Sequence, residues 1–64
     1  MEKYTYMYNN ASSSTHRHEC DADAMMDARE ELKTMHTITE TINQVNVWRH
    51  TAPNRYAYVV SYKL

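Results

Sequence analysis

An α+β fold is predicted: a small antiparallel sheet of three or four strands with one helix packed on one face, in the order β-(β)-α-β-β. Three observations predict it. Tyr4, Tyr6 and Tyr8 alternate with Lys3, Thr5 and Met7 near the N-terminus, the period-two signature of a strand. Ala22, Met25, Ala28, Leu32 and Met35 recur at helical spacing. Beyond Ala52-Pro53-Asn54, the run Arg55–Leu64 alternates again. Helices segregated to one side of an antiparallel sheet are the simplest way to bury such a set.

The first strand is expected over residues 3–9, with Tyr4, Tyr6 and Tyr8 on one face. Residues 9–14, Asn-Asn-Ala-Ser-Ser-Ser, have loop composition. Residues 15–20 form either an extended return strand or a loop. A helix follows over residues 21–36, with Asp21 as N-cap and Asp23 in the first turn, where negative charge suits the helix dipole. Ala, Met, Leu, Glu, Arg and Lys dominate this stretch and favour a helix by propensity. Its stripe of Met25, Ala28, Leu32 and Met35 is expected to be core, and Asp23, Asp27, Glu30, Glu31 and Lys33 its outer face. Residues 37–43 are Thr-rich and β-branched, a frayed end or connector. A strand over 43–50 and another over 55–64 then make a C-terminal hairpin. The adjacent Val59 and Val60 suggest that the last strand is central or covered on both faces. The chain has no Gly, so Asn9, Asn10 and Asn54 are the natural left-handed positions.

Sixty-four residues are enough for a single domain, 1–64, with a thin core. The apolar set is rich in tyrosine, whose hydroxyls need water or a partner. A homodimer, or docking on another molecule, would complete so small a fold. One cysteine excludes an internal disulfide. No signal-like or membrane-length apolar run is present, so a cytoplasmic protein is expected, with no membrane partner. The net charge of −1 conceals an asymmetry. Glu19, Asp21, Asp23, Asp27, Glu30, Glu31 and Glu40 cluster in the middle, whereas residues 42–64 carry Arg49, Arg55, Lys63 and His50 without an acid.

The residue types that carry chemistry are sparse. His16, His18 and Cys20 project from one face if residues 15–20 are extended. Imidazole and thiolate are zinc or copper ligands, and His36 or His50 would complete four. Cys20 beside His18 also suggests a thiol nucleophile, although nothing supplies an oxyanion hole. Phosphate loops built on glycine are excluded, and so small a chain rarely encloses a catalytic pocket. No cofactor is expected and an enzyme is not.

The expected function is a binding module. Tyr4, Tyr6, Tyr8, Tyr56, Arg49 and Arg55, with the carboxylates Asp23, Asp27, Glu30 and Glu31, are the candidate partner-binding residues, since exposed Tyr and Arg make interface hot spots and carboxylates steer a basic partner. The layout of a short Tyr-rich strand, an acidic helix and a terminal hairpin resembles that of small phage-encoded inhibitors of host machinery, anti-CRISPR proteins among them. The resemblance implies a non-enzymatic inhibitor that docks on a larger host protein or nucleoprotein complex. Two alternatives remain. Tyr56 and Tyr58 with Arg49 and Arg55 suit single-stranded nucleic acid, although a pI of 6.4 argues against it, and the His/Cys group suits a metal-stabilised module.

Overall fold

Three tyrosines on one side of a strand can be buried only if their hydroxyls meet polar groups across the core. The fold is arranged around that requirement. The computed structural model describes residues 1–64, with strands β1 (Glu2–Tyr8) and β2 (Ser13–His18), helix α1 (Asp21–Ile38), then strands β3 (Gln44–Ala52) and β4 (Arg55–Lys63). They form one antiparallel sheet in the order β2-β1-β3-β4. Helix α1 covers one face of it. No helix is long and apolar enough to cross a membrane.

The helix-facing side carries Tyr4, Tyr6 and Tyr8 of β1. The strand register sets Ser14, His16 and His18 of β2 beside them, and Val45, Val47 and Arg49 of β3 on the other side. Tyr4, Tyr6, Tyr8, Ala24, Ala28, Leu32, Ile42, Val45 and Val47 are the buried core. From α1 it takes two alanines and one leucine, so the helix lies close to the sheet and leaves room for the tyrosine rings. Ala22, expected inward, is exposed and Ala24 takes its place, while Met25 and Met35 are half-buried.

β4 is an edge strand, not a covered one. Its two adjacent valines have a different cause. The β3–β4 register shifts between Val47, paired with Val60, and Trp48, paired with Tyr58. Val59 is the extra residue of a bulge. The bulge also divides the C-terminal tyrosines: Tyr62 stays in register with Val45 toward the helix, and Tyr58 and Tyr56 pair with Trp48 and His50 on the open face.

The turns depart from expectation in one place. Asn54 is left-handed at φ 62°, but in the first hairpin the left-handed residue is Ala11, at φ 70°. Asn10 accepts hydrogen bonds from the backbone N–H and the hydroxyl of Ser12. Asn9 is a clasp: its amide donates to the Thr41 carbonyl and its side-chain oxygen accepts from the N–H groups of Asn43 and Gln44. The helix begins one residue earlier than a cap at Asp21 implies. Cys20 is the N-cap, in extended geometry and without a side-chain cap bond, because the Asp21 carboxylate is engaged elsewhere.

Candidate functional site

The sheet separates two surfaces of different chemistry. On the covered side, a polar seam runs between α1 and strands β1 and β2. Tyr4 donates to Asp21 at 2.6 Å, Tyr6 to Asp27 at 2.8 Å, and Tyr8 to Glu31. Four residues of strand advance about 14 Å and ten residues of helix about 15 Å, so strand and helix, running side by side, keep the three pairs in step. Asp27 and Glu31 thus turn toward the sheet and are half-buried, not fully out to solvent as a helical wheel suggests. Burial first, and then the hydrogen bond to Asp21, push the Tyr4 phenol up to about 12. The same causes raise Tyr6 and Tyr8 further. Asp21 lies below the usual carboxylate range because Tyr4 donates to it, as does Arg49 through one nitrogen at 2.7 and 3.0 Å. No buried side-chain polar atom lacks a partner.

β2 adds two imidazoles to this seam. His16 stacks on the Tyr6 ring, centroids 4.1 Å apart, with Nε2 2.8 Å from Ser14 Oγ and 3.3 Å from Glu31 Oε2. His18 Nε2 lies 3.2 Å from Asp27 Oδ2 and 2.8 Å from the Tyr6 hydroxyl. One ligand atom from each of His16, His18 and Asp27 falls within a 4.8 Å group. The expected face-sharing of His16 and His18 is therefore present. Their expected companions are not. The strand ends at His18 and Cys20 turns out as an exposed helix cap. His36 is bonded to the Ile42 carbonyl, and His50 to Thr5 on the far side of the sheet. Asp27 takes the third place.

The open side of the sheet is uncovered. Strand alternation places Lys3, Thr5 and Met7, Ser13, Thr15 and Arg17, Asn46, Trp48 and His50, and Tyr56, Tyr58, Ser61 and Lys63 there. Thr5, Met7, Ser13, Thr15, Trp48, His50 and Tyr56 line an open hollow of about 500 Å³. Trp48 and Tyr58 meet edge to face at 5.3 Å, as do His50 and Tyr56 at 4.7 Å. Tyr56 and Tyr58 are 53% and 58% exposed, the opposite of the β1 tyrosines. Lys3 and Arg17 are cross-strand partners, one step along their strands from Thr5 and Thr15. No carboxylate stands on this face, whereas Glu2 and the five acids of α1 lie on the helix side.

The candidate binding residues therefore divide into three groups. Tyr4, Tyr6 and Tyr8 are core and offer no surface to a partner. Asp27, Glu31 and Arg49 are spent within the molecule. Asp23, Glu30, Arg55 and Tyr56 are exposed. Trp48, Lys3, Arg17 and Lys63, not singled out as binding residues, join Tyr56 and Tyr58 on one surface. The signal for them was their register against the β1 tyrosines: every odd position of β1 opposes the core. No family model, curated protein or solved structure matches this chain.

Proposed function

We propose that this protein is a non-enzymatic docking module that binds a larger protein through the open face of its sheet. Trp48, Tyr56 and Tyr58 are the anchors; Lys3, Arg17 and Lys63 select a surface whose apolar knob is ringed by acidic groups. The observation that carries the reading is the segregation of the two faces: solvent-facing aromatics and uncompensated cations on one, carboxylates on the other. Aromatic anchors in a concave patch supply binding energy, and complementary charge sets the approach. Inhibition of host machinery in the manner of small phage proteins fits a chain of this size and layout, and is the specific form of the proposal.

The same segregation favours one second reading, stacking of single-stranded nucleic acid on the aromatic face with cations on the phosphates. A photo-crosslinking residue at position 58, introduced in cells of the source organism, separates the two. A single protein adduct is expected. It should vanish when Trp48→Ala is combined with charge reversal at Lys3 and Arg17, and survive reversal of Asp23 and Glu30. For the isolated complex, Trp48→Ala should weaken binding by roughly 30-fold, the equivalent of about 2 kcal/mol. An adduct with nucleic acid, together with affinity for oligothymidylate that falls steeply with salt, would replace the protein reading. No adduct at position 58, with an adduct formed only when the crosslinker is moved to position 30 on the helix, would overturn both.

A further inference from the structure

We infer that His16, His18 and Asp27 form a binding site for a divalent transition-metal ion of the zinc class, tying edge strand β2 to helix α1. Two imidazoles and a carboxylate are zinc ligands, and nitrogen donors favour zinc or copper over calcium or magnesium. With bonds of roughly 2.0–2.1 Å, ligand atoms around a tetrahedral ion stand about 3.4 Å apart. His18 Nε2 and His16 Nδ1 lie 3.2 and 3.8 Å from Asp27 Oδ2. The third edge lies within 4.8 Å, a gap that rotation of partly exposed side chains closes.

His16 and Asp27 have outer contacts of the kind that orient metal ligands. At 3.8 Å, His16 Nδ1 is too far from Asp27 for a hydrogen bond but at a spacing two ligands of one ion can share. Its other nitrogen faces Glu31 and Ser14, the carboxylate–histidine arrangement that fixes a ligating tautomer. Tyr6 stacks on His16 at an interplanar angle of 18° and donates its hydroxyl to Asp27 Oδ2. The ligand side chains of His16, His18 and Asp27 are 26%, 20% and 43% exposed, so an ion enters directly from solvent and a water completes its coordination. β2 is an edge strand paired only with β1. It meets α1 through Ser14 and His16 at Glu31, so a metal bond across to α1 is a useful further constraint.

The test uses the full chain without an affinity tag. Zinc at a hundredfold excess over its Kd should raise Tm by roughly 10–20 °C, and EDTA should reverse the rise. Cobalt should give the visible absorption of a tetrahedral site, without the sulfur charge-transfer band that a Cys20 ligand would add. His18→Ala and Asp27→Asn should abolish both responses. Glu31→Gln should weaken binding by roughly 10- to 100-fold. Cys20→Ser and His50→Gln should bind as the parent does. Should the ligand variants not fold, the proton spectrum of the parent decides: cobalt must shift the His16 and His18 ring protons and spare those of His36 and His50. No change in Tm with zinc, persistence of the response in His18→Ala, or its loss in Cys20→Ser would each overturn the assignment.

Discussion

Tyr4 and Asp21 hold each other in one protonation state, and the consequence is legible in pH. Asp21 is depressed below the ordinary carboxylate range, so its contribution is complete above that range and is lost as pH falls through the folded value. Tyr4 is raised from 10.0 to about 12. Above pH 10 the unfolded phenol ionises while the folded one stays neutral, so stability falls between about pH 10 and 12. Tyr6 and Tyr8 shift in the same direction and steepen the loss. Urea midpoints across pH 3–12 should therefore drop at both ends. Tyr4→Phe keeps the ring but removes the donor, and should cost about 1–2 kcal/mol at pH 7 while flattening the alkaline limb. An unaltered alkaline limb would mean that the Tyr4 phenol is not raised in the folded protein. The sequence shows why these residues escaped a linear reading. The spacing of His16 and His18 is local and visible, whereas Asp27 joins them only after the chain turns from β2 into α1. Cys20 matches the alternation of the two histidines, yet the strand has already ended there.

The strands and the helix were legible because each has its own periodicity; their order in the sheet was not. Nothing local in Tyr56-Ala57-Tyr58-Val59-Val60 distinguishes a doubly covered strand from an edge strand with a bulge, and only the register with β3 decides it. Asp21 has the chemistry of a cap, but Tyr4 and Arg49 claim its carboxylate and the cap falls to Cys20. The first hairpin shows a further tertiary override. Asn9 and Asn10 are better left-handed residues than Ala11, but Asn9 is needed to clasp the α1–β3 connection and Asn10 to bond Ser12, so Ala11 takes the positive φ. A left-handed alanine costs about 1–2 kcal/mol, against roughly 0.4–1 kcal/mol of extra unfolded-state entropy for glycine. Ala11→Gly should therefore stabilise the domain by about 0.5–1 kcal/mol, seen as a higher urea midpoint at constant m. A lower midpoint would show that the turn is not left-handed there.

At the scale of the whole molecule, α1 and the sheet make a two-layer structure in which one layer carries the negative charge and the far side of the other carries unopposed cations. Within residues 1–64, α1 covers one face of the sheet and the other face stays open. The core depends on few side chains. A domain of this length is stable by roughly 3–10 kcal/mol, at about 0.05–0.15 kcal/mol per residue. Leu32 is fully buried, and is the largest residue that α1 places in the core. Ala24 and Ala28 let the helix approach but add little apolar area. Truncating a buried leucine removes its transfer energy and leaves a cavity, together about 2–5 kcal/mol. Leu32→Ala should therefore consume a large share of the total stability, and in the weaker part of that range should leave the chain substantially unfolded at 37 °C. Met26 lies on the same helix at 69% exposure, and Met26→Ala should change stability by less than about 0.5 kcal/mol. Thermal melts of the two variants, followed by helix and tyrosine signals separately, should show Leu32→Ala losing both signals together, since the tyrosines of β1 are packed against the helix that carries the substitution. A melt in which the helix signal falls while the tyrosine signal persists would mean that the β1 rings do not depend on α1 for their burial.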